Sequence, residues 1–194
     1  MDKLKYIIKF LISLVSEPAQ TWDYLSTGDQ PEAKPDYMQR NYYLPLLGIM
    51  SVVLFVCGAM YGQDGDATFD VERGMQLMVP CLVAYFVAPY VAVEVLWLIN
   101  GHYYKVPDAS KERLTIFVFY CMSFLIAVEM LTAILPWVRF FGFITIYLLF
   151  ITWNGVTTYV RIDEGNRWFY AFLSAVVIGA SEYGFKQLLV LMQG

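Results

Sequence analysis

Long apolar stretches dominate the pattern of hydrophobic and polar positions along this chain. Five of them, each about as long as a bilayer-spanning helix, occupy residues 43–61, 76–100, 113–135, 137–160 and 168–192. An α-helix needs about 20 apolar residues to cross a hydrocarbon core about 30 Å thick. Within lipid, such segments satisfy their backbone hydrogen bonds internally as helices. The pattern therefore predicts an all-α fold: a polytopic membrane helical bundle with five transmembrane helices.

The residues before the first span form a separate, more polar unit. We predict an N-terminal cytoplasmic or interfacial segment at 1–42, followed by the transmembrane domain at 43–194. Residues 3–16 are too few to span a bilayer. Polar positions three and four apart, including Lys5 and Lys9, form one narrow stripe on this otherwise apolar helix. Such an amphipathic helix suits the lipid headgroup region, and docking on the inner face of the bundle fits the pattern as well.

A second short helix and a linker follow. Pro18 fits the first turn of a helix that extends to Tyr24. Residues 27–36 hold glycine and two prolines among polar side chains, which is typical of a linker. We predict that Trp22 in this helix and Trp168 at the inner end of the last span lie at the membrane interface, where tryptophan is enriched.

The distribution of lysine and arginine predicts the orientation. Most basic residues lie in the N-terminal segment, in the loop between spans two and three, and in the loop between spans four and five. The opposite loops carry only Arg73 and Arg139. Because positively charged loops stay in the cytoplasm, we expect a cytoplasmic N-terminus and a C-terminus on the outside.

Ionisable side chains inside the apolar spans are costly and therefore informative. They are Glu94, Glu129, Glu182 and Lys186, with Asn154 as the main neutral polar residue. The rise per residue places Glu94 and Asn154 at one depth in the inner half, and the other three at one depth in the outer half. Glu182 and Lys186 are four residues apart, as in a helical ion pair. One lysine cannot neutralise two carboxylates, so we expect one carboxyl to be protonated near neutral pH if all three meet.

These intramembrane charges allow two interpretations. They could couple a proton or cation to transport. Alternatively, the ion pair holds helices together while Lys186 extends towards the outer interface. The structural interpretation is favoured, because nothing in the sequence marks a second, water-facing half-site.

Small residues recur along the last span. Ala171, Ala175 and Gly179 are spaced by four, which places them on one helix face. Such a stripe permits close approach of a neighbouring helix. Packing within the bundle is the favoured interpretation, and a homodimer interface is the alternative.

Composition narrows the function further. Hydrophobic residues make up 59% of the chain and charged residues 15%, where soluble domains have roughly 45–50% and 25%. The net charge of −4, without a basic stripe, argues against nucleic acid as a partner. The three cysteines all fall in apolar spans and are interpreted as small buried hydrophobic residues, not as disulfides or metal ligands.

Catalytic and cofactor motifs are absent from the sequence. There is no H-E-x-x-H, no G-x-S-x-G, no phosphate-binding loop and no dinucleotide-binding glycine pattern. The acidic stretch at 64–72 does not fit an EF-hand loop, because Phe69 and Met75 occupy the positions where that loop needs glycine and glutamate. His102 stands without other ligands nearby in the sequence. We therefore predict no catalytic residue, no metal site and no cofactor.

Several motifs resemble those of the Yip domain membrane proteins, especially their bacterial members. They are, in chain order, EPAQTW at 17–22, YYLPL at 42–46, SKERL at 110–114 with Tyr120 and the closing LP at 135–136, and WNG at 153–155. The resemblance implies five helices, a cytoplasmic N-terminus, a bacterial cytoplasmic (inner) membrane and a non-catalytic role. Eukaryotic relatives are linked to vesicle traffic and to prenylated Rab-type GTPases, which a bacterial cell would lack.

Two functional hypotheses follow. The first is a non-enzymatic adaptor or organiser that contacts the lipid bilayer and a membrane protein partner or a second copy of itself. The second is a small transporter or ion pathway that uses the intramembrane carboxylates. Five spans do not divide into two matching halves as inverted-repeat transporters do, which favours the first.

Overall fold

The computed structural model describes residues 2–60, 69–104, 110–135 and 143–193, and these are helical throughout apart from short turns. Two N-terminal helices, α1 (Asp2–Ser16) and α2 (Pro18–Ser26), precede a 3-10 turn at Pro31–Ala33. The remaining helices, in chain order, are α3 (Pro35–Met38), α4 (Leu44–Met60), α5 (Val71–Ile99), α6 (Lys111–Ile134), α7 (Phe143–Gly155) and α8 (Arg167–Gln193). The all-α prediction is confirmed.

The first membrane helix begins earlier than the hydrophobic pattern indicates. α3 and α4 join through a wide π-type turn at Gln39–Tyr43 into one helical segment, Pro35–Met60. Pro45 lies two residues after the end of that turn. A proline ring lacks an N–H and clashes with the carbonyl four residues before it, and a local widening of the helix relieves both problems. The predicted boundary at residue 42 therefore falls inside a continuous helix, as does the end of the predicted linker.

Among the described residues, three helical segments are long and apolar enough to cross a membrane: Pro35–Met60, Val71–Tyr104 and Lys111–Ile134. The fourth predicted span corresponds to a shorter apolar helix, Ile146–Val160, and its first residues, 137–142, lie outside the described ones. α8 has the length of a span but includes charged and polar residues in its second half. The count of five transmembrane helices thus remains a prediction.

α6 is the central helix of the bundle. Its residues 116–126 are all buried, on every side of the helix. α4, α5 and α7 pack around it, and α8 lies against α5 and α7. A helix that is apolar all round is expected in such a position, because each face meets another helix.

Glycines mark the closest helix contacts, at positions other than the predicted stripe. A Cβ atom on Gly74 of α5 would lie 2.8 Å from the Phe55 backbone oxygen of α4. A Cβ on Gly155 at the end of α7 would lie 2.6 Å from the Phe117 ring of α6. Gly179 instead faces open space. Close approach in this bundle therefore depends on Gly74 and Gly155.

Candidate functional site

Glu129, Glu182 and Lys186 form a charge cluster between α6 and α8. The Lys186 ammonium donates to Glu129 Oε2 at 2.7 Å and lies 3.3 Å from Glu182 Oε1. The three side chains are only 13–22% exposed. The structure thus brings together the three residues that were predicted to share one depth, and two carboxylates compete for one ammonium.

α5 completes the surroundings of the charge cluster. The Cys81 thiol lies 3.8 Å from Glu129 Oε1. The Lys186 ammonium lies 5.9 Å from the centre of the Tyr85 ring, within the range of a cation–π contact. The Tyr85 hydroxyl donates to the Leu125 carbonyl of α6. The cluster therefore connects α5, α6 and α8, and its chemical capacity is that of an ion pair with a second carboxylate able to hold a proton.

Glu94 and Asn154 find separate partners. Glu94 forms an ion pair with Lys111 at the start of α6, and both side chains are at least half exposed. Asn154 donates to the Phe150 carbonyl of its own helix at 2.8 Å. Their predicted equal depth creates no contact, because depth along a helix leaves its rotation undetermined.

α1 docks on the bundle through one face. Ile7 and Leu14 are buried in the same hydrophobic core as the membrane helices. The Phe10 ring stacks on Tyr120 of α6, with 4.8 Å between ring centres, and meets the edge of Tyr42. The docked arrangement, one of the two predicted for this helix, is therefore present in the structure.

A second face of α1 is exposed and largely apolar. Leu4, Ile8 and Ile12 are 50%, 47% and 59% exposed, and they form one line along the helix that we call the outer stripe. Lys5 and Lys9 are exposed beside it. An apolar line flanked by lysines is typical of helices that lie in a membrane interface.

The two tryptophans predicted at the membrane interface differ in their exposure. Trp168 is 65% exposed and contacts Trp153. Trp22 is fully buried, and its indole N–H donates to the Ile151 carbonyl of α7 at 3.1 Å. The structure places Trp22 in the core instead of at the surface, because a carbonyl inside the protein satisfies the polar edge that would otherwise need water.

The sequence did not single out Glu32, which is only 9% exposed. Tyr6 of α1 and Tyr24 of α2 donate to its two carboxylate oxygens at 3.1 and 3.4 Å. Burial, and then the charge of Glu32, raise the pKa of Tyr6, so this hydroxyl remains a donor. Glu32 lies in the predicted linker, where no periodic pattern of apolar residues indicates that a residue is buried. The only signal is the pair of flanking prolines, Pro31 and Pro35, which stiffen the chain.

The end of the bundle where α2 packs holds a dense aromatic cluster. Trp22 lies 5.5 Å from Phe117, 6.2 Å from Tyr120 and 5.6 Å from Tyr159 between ring centres. A Cβ on Gly155 would approach the Trp22 ring to 2.9 Å. Helices α2, α6 and the end of α7 thus meet at one point, and each contributes a residue from a motif singled out in the sequence.

Comparison with known proteins identifies the family. A family model described as the Yip1 domain matches residues 12–181. The chain belongs to the Yip1 domain family. No curated protein and no solved structure matches it. The match runs from within α1 almost to Glu182, so it includes both the N-terminal helices and the membrane helices of this Yip1 domain protein.

The part of the chain that the structure describes contains no candidate metal site. Those residues contain no group of three or more histidine, cysteine, aspartate or glutamate side chains placed to hold an ion. Residues 64–68 of the acidic stretch lie outside the described ranges. Asp70 caps α5, since its carboxylate accepts from the backbone N–H groups of Glu72 and Arg73.

Proposed function

We propose that this Yip1 domain protein is a non-enzymatic adaptor in a bacterial inner membrane. The outer stripe of α1 would lie at the cytoplasmic surface and bind a membrane protein partner next to lipid. The observation that supports this is the outer stripe itself: three exposed aliphatic side chains on a helix whose other face is anchored in the core. A folded protein seldom exposes such a line unless something covers it.

The basic residues near α2 support the proposed orientation. Arg113 of α6 lies over the Tyr159 ring, and both line a small cavity together with Ser26 and Ala33. The N-terminal helices therefore sit at the end of the bundle where α6 begins with Lys111. In the cytoplasm-facing orientation, this whole end would meet the anionic side of the membrane.

The test uses point substitutions, because deletion of α1 would also expose the core. In Ile8→Glu, a charge replaces an exposed aliphatic side chain without touching Ile7 or Leu14. We expect capture of the partner from crosslinked native membranes to fall at least about tenfold, since burial of one isoleucine at an interface is worth about 1.5–3 kcal/mol. Quantitative mass spectrometry of the captured membrane proteins measures the loss.

The matched control is Ala19→Glu, which places the same charge at an exposed position of α2. It should leave capture unchanged. Equal capture by wild type and Ile8→Glu would remove the proposed role of the outer stripe. Equal loss in both variants would show a general charge effect and would also count against it.

The contact of Glu129, Glu182 and Lys186 favours one other candidate function, a proton or cation pathway. It predicts a pH-dependent flux in liposomes that contain the purified protein, and a changed flux in Glu129→Gln. Background flux from wild type at every pH tested would eliminate this candidate. A flux that survives unchanged in Glu129→Gln would exclude the charge cluster as its route.

A further inference from the structure

A groove of ≈ 390 Å³ lies between α1, α2 and the turn at Pro31–Ala33. Its walls combine aromatic rings, one cation and one carboxylate: they include Tyr6, Lys9, Phe10, Gln20, Tyr24 and Glu32. The groove is separate from the charge cluster and from the outer stripe. Its volume and its mixture of rings with a few polar groups are typical of small-ligand sites.

Glu32 is the unusual group in this groove. The residue is only 9% exposed, yet no lysine, arginine or histidine nitrogen in the described residues lies within 4 Å of its carboxylate. Two tyrosine hydroxyls donate to it, but hydroxyls carry no compensating charge. The Tyr120 hydroxyl donates to the Glu32 backbone carbonyl, which fixes the residue in place. A buried carboxylate normally has a cation beside it, so this one indicates a cationic ligand.

The groove suits an ammonium group in particular. A carboxylate has about four acceptor positions, and the two tyrosines use two of them. The rings of Tyr6, Tyr24 and Phe10 can add cation–π attraction. A primary ammonium would also donate hydrogen bonds to the free acceptor positions, which a quaternary ammonium cannot do.

Lys9 adds the complementary charge. It lines the same groove and makes no ion pair with Glu32. A ligand that satisfies both groups carries an ammonium and an anion close together. We propose that the groove binds the phosphoethanolamine headgroup of a membrane phospholipid, with its ammonium on Glu32 and its phosphate on Lys9.

The order of residues around α1 indicates a lipid as the source of this headgroup. Successive residues turn by about 100° around a helix axis. Going around the helix axis from Ile8 in the outer stripe, the next side chains are those of Lys5 and Lys9. Ser13 and Tyr6, which line the groove, come after them. Around α1, the outer stripe is therefore followed by the two lysines and then by the groove that holds the Glu32 carboxylate. Acyl chains, phosphate and amine follow one another in the same order along the lipid. This assignment rests on the proposed position of α1 at the membrane surface, whereas the headgroup chemistry does not.

The test compares lipids on the purified full chain in detergent micelles. Phosphatidylethanolamine, phosphatidylcholine and phosphatidylglycerol with identical acyl chains are added at equal mole fraction, and native mass spectrometry counts the bound lipid. We expect phosphatidylethanolamine to be retained about tenfold more than the other two, the ratio expected for one charge-assisted hydrogen bond. Equal retention of all three lipids by wild type would overturn the proposal.

Variants assign the preference to the groove. Glu32→Gln keeps the shape of the side chain and removes its charge, and it should reduce phosphatidylethanolamine to the level of phosphatidylcholine. Lys9→Gln changes an exposed side chain, and it should weaken retention of phosphatidylethanolamine as well. Glu17→Gln, an exposed carboxylate of the same region, is the control and should retain the wild-type preference. A preference that survives both Glu32→Gln and Lys9→Gln would overturn the proposal.

A soluble ligand is distinguished by competition. Free phosphoethanolamine at millimolar concentration should displace bound phosphatidylethanolamine only weakly if the acyl chains contribute. Complete displacement would identify a soluble zwitterion as the ligand and overturn the lipid source. Because lipid retention is measured in micelles and without a partner protein, it can fail while Ile8→Glu still reduces partner capture, and the reverse also holds.

Discussion

Replacement of Trp22 by alanine is expected to lower the free energy of unfolding by about 3–5 kcal/mol. Trp22 is fully buried, and its ring contacts Phe117 and Tyr159. Its indole N–H is also the donor to the Ile151 carbonyl. Alanine would leave a cavity at the point where α2 meets α6 and α7. Unfolding in mixed micelles, followed by circular dichroism as a denaturing detergent is added, measures the loss.

Trp168→Ala provides a matched control for the same chemical change. Trp168 is 65% exposed, so its removal should cost less than about 0.5 kcal/mol, as for other exposed positions. The Trp22 variant should also become sensitive to protease within α1 and α2, since their attachment to the bundle is weakened. Equal stability of the two variants would contradict the role assigned to Trp22 as the anchor of the N-terminal helices.

Replacement of Lys186 by methionine is expected to cost about 3–5 kcal/mol, the range for breaking a buried ion pair on one side. Methionine approximates the length of lysine and removes the ammonium that now lies 2.7 Å from Glu129 and 3.3 Å from Glu182. Two partly buried carboxylates would then face each other without a cation. The same micelle titration measures the change.

Two further variants make this expectation specific. Lys111→Met breaks the Glu94 ion pair, whose side chains are at least half exposed, and should cost at most about 1 kcal/mol. Adding Glu129→Gln to Lys186→Met removes one of the unpaired carboxylates and should restore about 0.5–3 kcal/mol of the loss. If the double variant were no more stable than Lys186→Met, repulsion between the carboxylates would not be the cause of the instability.

The charge cluster and the Glu94–Asn154 pair illustrate how far depth along a helix can predict contacts. Both sets were placed at common depths from the rise per residue alone. Glu129, Glu182 and Lys186 do meet, since α6 and α8 turn these faces towards each other. Glu94 instead forms an ion pair with Lys111, and Asn154 donates a hydrogen bond within its own helix. Depth follows from sequence position, whereas rotation about the axis depends on the packing of every neighbour.

The small residues also show that spacing follows from the sequence, whereas contacts depend on packing. The stripe of Ala171, Ala175 and Gly179 is a correct reading of spacing, and Ala171 is buried, but Gly179 faces open space. Among the described residues, the contacts that require glycine occur at Gly74 and Gly155, where no repeat of small residues marks them. A single glycine becomes essential only when another backbone or ring reaches it, and that depends on which helices are neighbours.

The sequence by itself determined the properties that arise from local chemistry. The apolar runs determined the all-helical membrane architecture, because the length and hydrophobicity of each segment decide separately whether it can cross the bilayer as a helix. The loose motifs around Trp22, Tyr42, Tyr120 and Gly155 determined the family. Only the tertiary structure decided that these motifs meet in one core, that the outer stripe of α1 remains exposed, and that Glu32 is buried with no cation beside it among the described residues. Those features result from packing between segments far apart in the chain, which no periodicity within one segment encodes.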